Sequence, residues 1–127
     1  MDKKFATSIN CMDGRAQKPV IEYMEKSFGV DYVDMITEPG PNKILSAGQE
    51  TGLIESLKKR VEISVKKHGS QVIAIVAHYD CAGNPASEDE QKQHLREARD
   101  VIVSWGFPVD EIITLWLDEN FTPSIVS

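Results

Sequence analysis

The sequence predicts an α/β fold, a single domain over residues 1–127 with a four-stranded parallel sheet in the order 2-1-3-4 flanked by helices. Three observations carry this reading. Strand-like and helix-like stretches alternate along the chain, which indicates parallel strands joined by helical crossovers. Val72-Ile73-Ala74-Ile75-Val76-Ala77 is apolar without alternation and rich in β-branched residues, the pattern of a strand buried on both faces. The 127 residues, 41% hydrophobic and 27% charged, suit one globular core that needs no disulfide staples.

The elements follow in order. Phe5 to Asn10 reads as a first strand ending at Cys11. Pro19 sits where a helix could begin, because a first-turn proline gives up no intrahelical hydrogen bond. Val20, Tyr23, Met24 and Phe28 then recur at helical spacing, and Gly29 is a stop. Asp31 to Thr37 alternates as a second strand and ends in the loop Glu38-Pro39-Gly40-Pro41-Asn42. A long helix is expected from about Ile44 to Lys67, with Ile54, Leu57, Val61 and Val65 as its inner stripe. Gly48 and Gly52 either mark a close approach near its start or push that start later. The apolar third strand delivers His78, and Ser87 with Glu90 forms a capping box for a helix to about Trp105. Ile112 to Leu117 is the fourth strand, followed by a short tail.

The charge balance, 14 basic against 20 acidic residues, gives −6 with no basic run. That excludes the usual electrostatics of nucleic-acid or anionic-membrane partners. No apolar stretch approaches the ~20 residues that span a bilayer, and the N-terminus lacks a secretory core. A cytoplasmic protein is therefore expected, where two cysteines are ligands or reactive thiols rather than a structural disulfide.

Two stretches carry the chemistry, Cys11-Met12-Asp13-Gly14-Arg15 and His78-Tyr79-Asp80-Cys81. In an open parallel sheet, ligands bind beyond the carboxyl ends of the strands where strand order reverses. With the order 2-1-3-4, Cys11 ends the first strand beside the third, which leads into His78 and Cys81. Two thiolates and an imidazole are natural Zn2+ ligands, and three protein ligands leave a fourth position for water or substrate. Asp13 is near enough to orient a nucleophile there, with Arg15 holding its carboxylate by a bidentate pair. Alternatively Asp13 itself closes the fourth position. His68, His94, Trp105 and Trp116 read as structural or solvated, and Asp80 as a loop carboxylate.

Cys-x-Asp-x-Arg followed by His-x-x-Cys after an apolar strand resembles the β-class carbonic anhydrases. That resemblance implies Cys11, His78 and Cys81 as zinc ligands and Asp13 with Arg15 as the catalytic dyad. It implies a homodimer or higher homo-oligomer, and reversible hydration of carbon dioxide to bicarbonate by zinc-bound hydroxide. The chain differs from the family pattern in the 38–42 loop, in Ala77 and Tyr79 around the histidine, and in Ala82 before Gly83. These differences touch the substrate pocket and leave the metal ligands in place. Hydrolysis of carbonyl sulfide or carbon disulfide on the same scaffold, or zinc binding without chemistry, are the alternatives. A thiol-disulfide protein cycling Cys11 and Cys81 is a further one.

Overall fold

The structure, a computed structural model, describes residues 2–127, so Met1 of the expected span lies outside it. The element order is β1 (Phe5–Cys11), α1 (Gly14–Phe28), β2 (Tyr32–Glu38), α2 (Pro41–Ala47), α3 (Thr51–His68), β3 (Val72–His78), α4 (Glu88–Ser104), β4 (Glu111–Leu117) and β5 (Pro123–Ile125). The strands form one sheet, β2-β1-β3-β4-β5. The parallel order 2-1-3-4 is as expected from the sequence, but the sheet has five strands rather than four. The supposed tail turns back after β4 and pairs antiparallel with it, Leu117 opposite Pro123 and Leu115 opposite Ile125.

Two helices differ from expectation. α1 starts at Gly14, well before Pro19, because the Asp13 carboxylate caps it by accepting from the Arg15 backbone N–H at 2.9 Å. Pro19 therefore lies inside the helix, where it leaves the Arg15 carbonyl without its usual intrahelical donor. The long helix divides in two at Gly48. That residue takes a left-handed backbone (φ 68°) and its N–H closes on the Ile44 carbonyl, ending α2 before α3 begins. Pro41 and Asn42, read as loop, form the first turn of α2.

β3 is buried along its whole length, and its side chains alternate between two cores. Ile73, Ile75 and Ala77 pack with Ile9, Leu57, Val61, Leu95 and Ile102 under α3 and α4. Val72, Ala74 and Val76 pack with Val20 and Met24 under α1. Trp116 belongs to the first core, whereas Trp105 packs only partly buried at its margin. No helix of the described residues is long and apolar enough to cross a membrane.

One feature of the sheet positions the site. β1 pairs with β2 through to Cys11, but with β3 only from Thr7 to Ile9, opposite Ile73 to Ile75. The two central strands thus part before their carboxyl ends. A crevice opens between Cys11 and His78, where the strand order reverses.

Candidate metal centre

Cys11, His78 and Cys81 converge in that crevice, all three buried, with their ligand atoms within 4.8 Å of one another. The two sulfurs are 3.8 Å apart and both cysteines are free. Strand ends supply Cys11 and His78. Cys81 arrives through a reversal at Asp80, whose φ is 58°.

The orientation of each donor is fixed from behind. His78 Nδ1 hydrogen-bonds the Tyr79 carbonyl at 2.7 Å, which makes Nδ1 the protonated nitrogen and turns Nε2 towards the sulfurs. Gln91 Nε2 on α4 donates to the His78 carbonyl at 3.0 Å, anchoring the end of β3. On the other side Gln17 Nε2 donates to the carbonyls of Cys11 (2.8 Å) and Asp13 (2.7 Å), while Asn10 Nδ2 donates to the Cys11 carbonyl at 3.0 Å. Gln17 lies one turn into α1, so the cap that starts the helix also locks the Cys11–Asp13 bend.

The loop expected to alter the pocket is packed directly against the cysteine turn. Gly40, with φ 61°, and Gly83 meet back to back. A Cβ on Gly83 would stand 2.5 Å from the Pro39 carbonyl carbon and 2.7 Å from Gly40 N. Only glycine permits this approach. Asn84, next in the turn, is tied to α4 by donating from Nδ2 to His94 Nδ1 at 3.0 Å, so His94 is half-buried rather than solvated.

These residues fit a zinc ion. His78 Nε2 is buried with no hydrogen-bond partner, an arrangement that a metal ion would satisfy. The electrostatics agree. The Cys81 thiol hydrogen-bonds Cys11 and pulls it down to about 4 against the opposing effect of burial, while the same contact and burial push Cys81 up. The pair by itself is thus a thiolate held by a thiol, and a cation between the sulfurs would let both ionise; soft sulfur with imidazole selects zinc among the common ions. Burial draws His78 down, yet the Cys11 thiolate, the Tyr79 carbonyl and Asp13 lift it to a net rise, again the mark of concentrated negative charge.

Asp13 stands beside this set, its Oδ2 4.0 Å from His78 Nε2. Arg15 holds it through Nη2 to Oδ2 at 2.7 Å and Nε to Oδ1 at 3.1 Å. These hydrogen bonds keep the Asp13 carboxyl well below the usual carboxylate range. The structure therefore brings together all five residues singled out in the sequence. It gives Asp80, read from the sequence as a loop carboxylate, a place at the site, and it adds two residues that sequence reasoning passed over. Asp80 is an Arg15 partner at 3.4 Å through Oδ2 and at 3.2 Å through its carbonyl. Phe121 lies over both His78 and Arg15. Gln91 braces the histidine from the carbonyl side. His68 is far from the centre in role, its Nδ1 2.6 Å from Asp34 Oδ2 and its ring stacked on Phe5.

A family model described as "putative carbonic anhydrase" matches residues 1–127. No curated protein matches the sequence. Among solved structures, the fold is similar to β-carbonic anhydrase isoform I of Trichomonas vaginalis, at 16% identity and TM-score 0.63, covering 99% of this chain and 86% of that one. It is likewise similar to a carbonic anhydrase of Streptococcus mutans, at 16% identity and TM-score 0.64, covering 99% and 84%. A β-carbonic anhydrase of Aspergillus fumigatus matches at 15% identity and TM-score 0.54, covering 99% and 76%. At these identities the likeness is one of fold.

Proposed function

The chain belongs to this carbonic anhydrase family, and from that membership we propose that it is a zinc-dependent lyase catalysing the reversible hydration of carbon dioxide to bicarbonate. The observation that carries the reading is the buried Cys11–His78–Cys81 set with an ionised, arginine-held carboxylate at its edge. Cys11, His78 and Cys81 would hold the ion. A zinc ion so bound lowers the pKa of a water ligand from ~15.7 to about 7, supplying a hydroxide nucleophile at neutral pH.

The protein's own residues do the rest. Asp13, kept charged by Arg15, is an acceptor only. Its Oδ2 accepts the hydrogen bond of the attacking hydroxyl and turns the oxygen lone pair towards the substrate carbon. Arg15 fills the other lone pairs of that carboxylate, so Asp13 accepts the nucleophile in one direction and is held back from the metal position. Gln17 and Asn10 keep the bend rigid, as near-attack geometry requires.

A second reading is hydrolysis of carbonyl sulfide or carbon disulfide. Its support is the departure from the family pattern around His78, which Ala77 and Tyr79 flank. Family membership further favours a homodimer or higher homo-oligomer, and β2 leaves one edge of the sheet open to a partner. Two unbridged thiols suit a reducing, cytoplasmic setting.

Stopped-flow hydration with zinc-loaded protein tests the first reading, with carbonyl sulfide hydrolysis run alongside for the second. Asp13→Asn is expected to retain full zinc and lower turnover by roughly 10²-fold, the scale of a lost proton-orienting group. Full zinc occupancy with no turnover of any of these substrates would leave a metal-binding protein without chemistry. Unchanged turnover in Asp13→Asn would remove Asp13 from the mechanism.

A further inference from the structure

Among the described residues, two that are not glycine adopt a left-handed backbone, Asp80 at φ 58° and Phe121 at φ 57°. Aspartate tolerates this region, whereas a bulky aromatic residue there is strained. Strained positions persist where the surrounding structure holds them in place, and they gather at functional sites. Both of these residues converge on the same group, the Arg15 guanidinium.

The turn that carries Phe121 is tightly fastened. The Asp118 carboxylate accepts from the backbone N–H groups of Asn120 (2.9 Å) and Thr122 (3.0 Å), and the Asp118 carbonyl accepts from Phe121 N at 2.8 Å. Pairing of Leu117 with Pro123 closes it from below. The left-handed residue is thus imposed by the hairpin, and it swings the Phe121 ring back over the sheet end. There the ring centroid is 4.8 Å from Arg15 Cζ and 5.6 Å from the His78 ring.

Arg15 needs such a clamp. Its side chain is 50% exposed, and an exposed ion pair by itself fixes geometry weakly. Asp13 engages one edge of the guanidinium, Asp80 reaches the remaining N–H groups, and Phe121 covers a face in cation–π contact. We propose that Phe121 is a positioning residue for the Asp13–Arg15 pair, holding the guanidinium, and through it the Asp13 carboxylate, in register with His78. Its effect on turnover rests on the lyase reading, whereas its effect on Arg15 does not.

The test uses zinc-loaded protein and two variants. Phe121→Gly removes the ring and relieves the left-handed strain, so the hairpin keeps its shape. Phe121→Tyr keeps a ring over Arg15. The Arg15 Nε–H proton, shielded by the ring in the parent, is expected to move downfield and broaden in Phe121→Gly and to stay in place in Phe121→Tyr. Turnover is expected to fall about tenfold in Phe121→Gly, short of the ~10²-fold that a 1 Å misplacement can cause, with KM and zinc content held and with recovery in Phe121→Tyr. An Arg15 resonance that is the same in Phe121→Gly overturns the placement. Unchanged turnover in an active enzyme despite a shifted resonance overturns the catalytic consequence. If the parent hydrates none of the proposed substrates, the lyase reading fails while the Arg15 resonance still decides the placement.

Discussion

Replacing Cys81 by serine is expected to weaken zinc binding by at least roughly 10²-fold and to abolish turnover with it. Loss of groups that merely support metal ligands costs about 10–100-fold in affinity, and here a thiolate ligand itself is lost. A serine hydroxyl does not ionise near neutrality and is a poor partner for zinc beside Cys11 and His78. Asp13 is a poor substitute, because Arg15 and the backbone at the start of α1 already engage most of its lone pairs. The fold should survive. Cys81 is small, and its turn is held by the Gly40–Gly83 contact and by Asn84 on His94. Competition with a chromophoric chelator reads the affinity, and thermal unfolding of the metal-free proteins reads the fold. Full zinc retention in the variant would remove Cys81 from the ligand set.

Gly83→Ala is expected to destabilise the protein by about 3 kcal/mol, the upper range for overpacking a close contact. The added methyl would lie 2.5–2.7 Å from backbone atoms of Pro39 and Gly40, and these cannot rotate away as a flexible side chain could. Relief would require the 38–42 segment to lift off the 81–84 turn, displacing Cys81 as well. Lower zinc affinity should therefore accompany a melting temperature reduced by roughly 10 °C. Gly52→Ala is the control. Its Cβ would enter open space near the start of α3, so a gain of about 0.5–1 kcal/mol is expected there. Denaturant titration of both variants checks the opposite signs, and a neutral Gly83→Ala would show that the two loops do not bear on each other.

The candidate metal ligands were legible because their chemistry and their placement agree. Cysteine and histidine are zinc-binding side chains, and β3 is so uniformly apolar that its carboxyl end could be located to within one residue. Strand order then brought Cys11 to the same crevice. β5 was not legible, since three residues beginning with proline show neither alternation nor an apolar run. The start of α1 was misjudged because Pro19 is a strong local signal, whereas the Asp13 cap that overrides it depends on a bend fixed by Gln17. Gly48 did signal a weak point, but whether it was a contact or a break depended on its left-handed backbone. Phe121 had no signature of its own. The Asp118-x-Asn120 turn that positions it is visible in the sequence, but its neighbours His78 and Arg15 come from distant parts of the chain and are only brought there by the sheet.

The parting of β1 from β3 also has a topological consequence. Cys11 and Cys81 are 70 residues apart, and everything from α1 to β3 lies in the loop between them. An ion gripped by both would tie off more than half of the polypeptide into a closed ring, at the end where the two central strands are not hydrogen-bonded to each other. Cross-links across long segments restrict the unfolded ensemble most in the loop-closure picture, and a ligand that binds only the native state deepens that bias with its concentration. The metal would then act as a removable staple on a short seam of the sheet. Withdrawal of the ion would free the two strand ends together.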